Sequence, residues 1–229
     1  MASPVRPDAS ARTIAAERPH RILSFLAVRP RVHWAAMGIP AARSATYQDI
    51  LDAPPHLVAE IVDGELSLSP RPAPPHALAA SGLGADLTIP FQRGRGGPGG
   101  WWILDEPELH LGADVLVPDV AGWRRERLPR MPDTAYFAVT PDWVCEVLSP
   151  ASRRVDLVLK ARIYAEAGVP WLWLVDPLAR LVEVRRLAGG QWVIEQLVDG
   201  AEPVRLPPFE AVALLPSDWF LPEDPALPG

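Results

Sequence analysis

Residues 143–177 read WVCEVLSPASRRVDLVLKARIYAEAGVPWLWLVDP, and this stretch decides the fold. Residues 143–148 form an apolar run broken by a single acid, Glu146, which reads as a strand ended by Ser149-Pro150. Ser152 can cap a helix from about Arg153 to Ala167, closed by Gly168 and Pro170. Residues 171–175 are apolar without interruption, the pattern of a strand covered on both faces.

Working outward, residues 57–62 and 65–69 alternate around Asp63-Gly64, a hairpin turn signal. A short helix over 47–51 precedes them, with Thr46 as its N-cap. Residues 76–91 repeat Leu78, Leu83 and Leu87 at helical spacing. The glycine run at 94–100 is a loop, and 101–104, 108–111 and 115–122 read as strands. Residues 181–187 and 191–198 form a second hairpin across Gly189-Gly190. The order is hairpin, helix, several strands, helix, strand, hairpin. That order predicts an α/β or α+β fold, a sheet with a helix on each side. Residues 1–42 mix Pro, Ala and Arg and read as a flexible extension, with Met37 as an alternative first residue. The domain then spans 43–221, and 222–229 is a Pro-rich tail.

The totals bound what such a domain can do. Apolar residues make up 48% of the 229, ample for a core. A net charge of −6 argues against holding nucleic acid by bulk electrostatics, although an acidic metal site can coexist with a local basic surface. The single cysteine, Cys145, precludes an intrachain disulfide and fits a reducing, cytoplasmic setting. No apolar run reaches the length of a membrane span, and Arg29 and Arg31 cut short a weak signal-like segment at 22–28. The nine Trp are dispersed without basic interleaving, so Trp143, Trp171 and Trp173 read as core rather than as a stacking platform.

Three acids interrupt apolar strands: Glu60, Asp119 and Glu146. A carboxylate in a buried strand is costly unless it is paired or binds a cation, and two of them can share a hard divalent ion. Strand-end exposure is the plainer account of each one alone. Asp156, Lys160 and Tyr164 follow at i, i+4 and i+8, one polar stripe on the helix, with Val155, Val158, Leu159 and Ile163 as its packing side. A solvated face with an ordinary Asp–Lys pair is the alternative. Of the 22 Lys and Arg residues, however, Lys160 is the single lysine, leaving 21 arginines. Lys, unlike Arg, can give up its proton when its surroundings are altered. His76 approaches from the start of its helix, where a lone histidine is more often structural. Arg153 and Arg154 are candidates for backbone contact.

These residues resemble a known family. Pro118-Asp119, Glu146-Val147-Leu148-Ser149-Pro150, then Asp156, Lys160 and Tyr164, Gly168-Val169-Pro170 and Trp173-Leu174-Val175-Asp176-Pro177 are similar to the Uma-two family. That family groups proposed restriction endonucleases within the PD-(D/E)XK nuclease superfamily. The likeness runs from about Thr46 to Phe220 and takes in the segment from Glu60 to Leu66 and His76. It implies a restriction-endonuclease-like fold, a mixed central sheet flanked by helices with a hairpin at each end. It implies that Asp119 and Glu146 bind Mg²⁺ (or Mn²⁺) with the Val147 carbonyl, and that Lys160 joins them as the catalytic lysine. Glu60, His76, Asp156 and Tyr164 would support them. The chain departs from the superfamily at Leu148, where a strand lysine is usual; Lys160 supplies it from the next helix.

The expected activity is a metal-dependent DNA endonuclease, in which a metal-bound water attacks the phosphodiester in line and the 3′ oxygen leaves. The alternative is a nuclease-fold protein that no longer cuts and serves as a nucleic-acid- or protein-binding module. A weaker third reading is a structural module whose acids are strand-end residues. By analogy with relatives that cut both strands, a homodimer is expected, with the hairpin at 181–198 offering an exposed edge.

Overall fold

The computed structural model describes residues 43–222. The expected extension at 1–42, with Met37 and the signal-like segment in it, and residues 223–229 of the expected tail lie outside the described residues. Within them the chain has the α+β character its pattern predicts, with two sheets and few helices.

Helix α1 (Tyr47–Leu51) begins where Thr46 is expected to cap it. The Thr46 N–H and hydroxyl both donate to the Asp49 carboxylate, at 2.7 and 2.8 Å, so the helix start is tied by its own third residue. Strands β1 (Leu57–Val62) and β2 (Glu65–Pro70) pair antiparallel with Val62 opposite Glu65. Asp63 and Gly64 between them have φ of 57° and 77°, the left-handed pair that a tight hairpin requires.

Helix α2 (Pro74–Leu87) opens on two prolines, where a missing N–H breaks no helical bond. It does not continue as α-helix to Phe91 as expected, but widens to π-helical turns over Thr88–Gln92. Pro90 lies inside that segment and donates nothing to the ladder. The glycine loop supplies donors instead: Arg95 N–H to the Ile89 carbonyl at 3.0 Å and Gly99 N–H to the Pro90 carbonyl at 2.9 Å. Gly97 packs so closely that a Cβ there would stand 2.4 Å from Pro90 Cβ. Leu83 and Leu87 are fully buried, whereas Leu78, expected beside them, is exposed.

Strands β3 (Trp101–Asp105), β4 (Leu109–Leu111), β5 (Asp114–Leu116) and β6 (Val120–Arg124) follow. The single strand expected over 115–122 is in fact two. Strand β5 pairs with β1 and β4, while β6 pairs with β3 and with β7 (Trp143–Val147). Pro118 cannot donate to a ladder, and the chain crosses from one sheet to the other at Val117-Pro118-Asp119. The helix after β7 carries a π-helical segment, Val155–Lys160, and ends as α3 (Ala161–Glu166). Strands β8 (Trp171–Asp176), β9 (Leu181–Ala188) and β10 (Gln191–Val198) complete the fold.

The larger sheet has the order β10-β9-β8-β7-β6-β3 and the smaller β2-β1-β5-β4. The larger sheet is mixed, since β7 and β8 run parallel and its other neighbours antiparallel. The C-terminal hairpin is its edge, while the N-terminal hairpin belongs to the smaller sheet.

Alternation along β7 divides the core. Trp143, Cys145 and Val147 join α2, Trp173, Phe209 and Trp219 in one apolar cluster. Val144 and Leu148 join Ala161, Ile163 and Tyr164 with Leu109 and Leu116 of the smaller sheet in another. Trp123, Trp143, Trp173 and Trp219 are fully buried, each burial contributing roughly 4–6 kcal/mol of transfer free energy. The tryptophans therefore serve the core, though Trp171 lies partly exposed at a strand end. Glu146 is on the second face, between Val144 and Leu148, and a buried polar cluster is built there.

Candidate active site

The polar stripe of the helix is not solvated. Asp156 and Lys160 are each 4% exposed and Tyr164 is fully buried, so the stripe turns inward. Val158, expected on the packing side, is instead exposed. The π-helical winding covers Asp156 and Lys160; such inserts occur mostly as single turns and often at functional positions.

Lys160 Nζ lies 3.0 Å from Glu60 Oε1, 3.0 Å from Glu146 Oε1 and 3.7 Å from Asp156 Oδ1. These partners come from β1, β7 and the helix itself, so the ammonium ties the smaller sheet to the larger. Val117, in the crossing segment, clasps the pair. Its N–H donates to Glu60 Oε1 at 2.7 Å and its carbonyl accepts from Lys160 Nζ at 3.5 Å. The Tyr164 hydroxyl donates to Glu146 Oε1 at 2.5 Å.

Asp119 stands at the start of β6. Its Oδ2 accepts the Val147 N–H at 2.7 Å, and its Oδ1 lies 3.2 Å from His76 Nε2, which comes from the first turn of α2. His76 Nδ1 is buried without a partner. A cavity of about 500 Å³ is lined by Glu60, His76, Asp119, Glu146, Val147 and Lys160, together with Asp156. The structure thus brings together in one cavity the carboxylates, His76, Val147 and Lys160 proposed from the sequence, while Tyr164 lies behind Glu146 and Arg153 and Arg154 lie off the cavity wall. A shallower hollow of about 350 Å³ beside Asp86 and Asp218 holds no comparable cluster; Asp86 there accepts the Trp219 indole N–H.

Four carboxylates face one ammonium and one imidazole. Burial pushes Glu146 well above the usual carboxylate range and raises Asp156 too, with Lys160 pulling both back. Burial alone would lower Lys160, but Glu146, Glu60 and Asp156 outweigh it and lift its pKa well above the ordinary value. The surrounding acids thus favour the charged ammonium of Lys160. Desolvation lowers His76, but its hydrogen bond to Asp119 and the charges of Asp119 and Asp156 outweigh that, so its pKa is raised in net. Burial and Glu146 hold the Tyr164 proton in place.

Among the described residues no three His, Cys, Asp or Glu side chains form a ready-made metal cage. A hard ion such as Mg²⁺ does not need one, because it keeps several waters and takes only one or two carboxylates. Asp119 and Glu146 are oxygen donors of that kind, both on the cavity wall, in a cluster with more carboxylates than cations. The donor set fits a water-completed divalent ion.

Several partners were not legible in the sequence. The Val117 clasp rests on backbone atoms, and only the neighbouring Pro118 hints at it. The Ser152 side chain bonds Asp156 as well as Ser149 Oγ, although its position suggests only a cap. Arg153, a candidate for backbone contact, is paired with Asp176. Cys145 is buried and free, on the opposite face from Glu146.

An α+β domain that gathers strand carboxylates and a lysine in one cavity defines a nuclease-like class of protein. The chain belongs to the Uma2 family, described as "putative restriction endonuclease", whose model matches residues 45–216. Among solved structures it is similar to one described as a "putative nuclease belonging to DUF820" from Anabaena variabilis ATCC 29413. The two superpose with a TM-score of 0.61 at 23% identity, covering 77% of this chain and 97% of the other. At that identity the likeness is one of fold. No curated protein matches the chain.

Proposed function

We propose that this protein is a metal-dependent DNA endonuclease that hydrolyses phosphodiester bonds by in-line attack of water. The observation that carries the reading is the Lys160 ammonium fixed 3.0 Å from both Glu60 and Glu146 in a cavity that Asp119 also lines. Its support from outside the chain is the description of the family and that of the similar Anabaena protein as a nuclease.

Asp119 and Glu146, with the Val147 carbonyl, would hold Mg²⁺ or Mn²⁺. When bound, the ion neutralises charge developing on the phosphate and makes a water acidic enough to attack at neutral pH. Lys160 presents a permanent positive charge to the phosphoryl oxygens as charge grows on them. Glu60, Asp156 and Val117 keep that ammonium in place, so little reorganisation accompanies the reaction. Tyr164 fixes the rotamer of Glu146 from behind, and His76 restrains Asp119 through Oδ1. Two copies side by side would present one site to each strand of a duplex. The edge strand β10, with Val193, Ile194 and Leu197 exposed, is the surface by which two copies would pair.

The test is nicking of supercoiled DNA across a panel of divalent metals. Wild type should cut with Mg²⁺ or Mn²⁺, and Asp119→Ala, Glu146→Ala and Lys160→Ala should each lose cutting while remaining folded. A folded wild type that binds DNA but cuts with no metal would replace this reading with the non-cleaving binding module. Absence of Mn²⁺ binding by calorimetry would remove the metal site altogether.

A further inference from the structure

The corner of the larger sheet farthest along β6 from Asp119 gathers six arginines: Arg93, Arg95, Arg124, Arg125, Arg127 and Arg130. Arg125 joins the glycine loop to the sheet, donating from its backbone N–H to the Gly100 carbonyl at 2.9 Å and from Nη2 to the Gln92 carbonyl at 2.9 Å. Arg127 follows Arg124 in the same turn, and the Leu128 carbonyl accepts the Trp102 indole N–H at 2.9 Å, which holds the segment leading to Arg130 against β3. Two of the guanidinium groups lie over tryptophan rings, Arg124 at 4.6 Å from the Trp101 centroid and Arg125 at 3.9 Å from that of Trp102. Such stacking holds the charge in place without neutralising it.

The pairing of these arginines differs from that on the rest of the surface. Arg43, Arg71, Arg153, Arg162, Arg185 and Arg186 each sit beside a carboxylate. At this corner Arg127 pairs with Asp142, but Arg93, Arg95, Arg124, Arg125 and Arg130 make no ion pair among the described residues. Elsewhere Arg154 and Arg205 share that condition. The acids that the segment from Arg124 to Arg130 carries or contacts are Glu126 and Asp142, so positive charge is in local excess along it in a chain whose net charge is −6. Arg95 borders the hollow that contains Asp86 and Asp218, which leaves Arg93, Arg124 and Arg130 with the largest unmatched share.

The loop that displays Arg93 and Arg95 is tightly folded. Gly94, Gly96, Gly99 and Gly100 all have positive φ, and Gly97 has no room for a side chain against Pro90. A charge excess presented on a rigid loop and on stacked guanidinium groups matches a polyanion with regularly spaced phosphates. Arg124 is five residues from Asp119 along one strand, roughly 16 Å. That length of duplex carries on the order of ten phosphate charges.

We propose that this arginine corner is a nucleic-acid backbone-binding surface that anchors the substrate about half a helical turn from the candidate active site. It rests on the nucleic-acid reading of that site but needs no cleavage to be observed. The experiment is equilibrium binding of a fluorescent 30-base-pair duplex to the full chain in EDTA, between about 50 and 200 mM salt. The Arg93→Ala/Arg124→Ala/Arg130→Ala variant should bind at least about tenfold more weakly at 100 mM salt, with the slope of log K against log salt shallower by about 2–3. Arg162→Ala, which removes an arginine already paired with Asp63 and Glu166, should match wild type. Thermal melting should match wild type for Arg162→Ala and fall only slightly for the triple variant, which loses the Arg124 stacking over Trp101 but no ion pair. Affinity and slope within twofold of wild type in the triple variant would overturn the proposal, as would an equal loss in Arg162→Ala or no duplex binding by wild type at low salt. If wild type binds duplex through this corner and cuts with no metal, the nuclease reading falls and the corner stands. If the triple variant binds as wild type does while plasmid is still nicked, the corner falls and the nuclease reading stands.

Discussion

On one face of β7, Trp143, Cys145 and Val147 pack into a cluster with Trp173, Phe209 and Trp219. On the other, Glu146 stands between Val144 and Leu148 and meets Lys160 and Tyr164. Both faces are buried, yet the first holds aromatic and aliphatic side chains alone, whereas the second also holds ions beside a cavity. The first is what an unconstrained core would choose, since buried ion pairs are often no more stable than hydrocarbon of the same volume. The second keeps carboxylates in a dry place, an arrangement that stability alone does not favour. The difference separates residues that make the domain from residues that make its site.

The apolar face should respond most strongly to damage. Trp173→Ala removes a fully buried indole and its 2.7 Å hydrogen bond to the Pro207 carbonyl. It should destabilise the domain by about 5 kcal/mol in a urea melt, the upper end for a large aromatic truncation. Next comes Lys160→Met, which strips three buried acids of their shared cation. Burial already raises Glu146 and Asp156, and Lys160 is what lowers them. Without it, both rise further, so the folded state binds protons that the unfolded chain has released. Stability is then retained below the ordinary carboxylate range and falls as pH rises through the raised folded values. Urea melts should show the variant's deficit against wild type widening from pH 5 to pH 8, where it reaches about 3–4 kcal/mol. A loss independent of pH would mean that the lysine contributes packing alone.

Tyr164→Phe removes only a hydroxyl and should cost about 2 kcal/mol, the range for a hydrogen bond to a charged group. If calorimetry also shows weaker Mn²⁺ binding, the hydroxyl positions Glu146 as a ligand; unchanged affinity with lower stability would leave it a core residue. Val158→Ala tests the opposite side of the same helix. Val158 is 57% exposed, so denaturation should move by no more than about 0.5 kcal/mol.

Features with a local cause were legible in the sequence. Asp63-Gly64 and Gly189-Gly190 mark both hairpins because only such residues adopt the left-handed turn without strain. The apolar run at 171–175 announces a doubly covered strand, and β8 is that strand. Lys160 stands out by composition alone, and the structure puts it between two of the acids proposed from other strands. The break in the expected strand at 115–122 was not legible, since Val115 and Val120 are equally good strand residues and only their partners differ. Nor was the inward turn of the polar stripe. Spacing fixes that Asp156, Lys160 and Tyr164 share a side but not which side is buried, and Val158 and Lys160 exchange the expected places. The carboxylates of other strands decide that orientation, and they are distant in sequence.

The position of Lys160 also bears on how the protein is made. Synthesis proceeds from the N-terminus at roughly 5–20 residues per second. The smaller sheet has all its strands once Leu116 has emerged, and Glu60 is then already in the chain, with Asp119 close behind. The cation that allows Glu60 and Glu146 to lie dry together comes well after Glu146 itself, in the following helix. Until then those acids are better left in water, and the cavity cannot close around them. A ribosome-bound fragment ending before Lys160 therefore carries the carboxylates without the cation that lets them lie buried together.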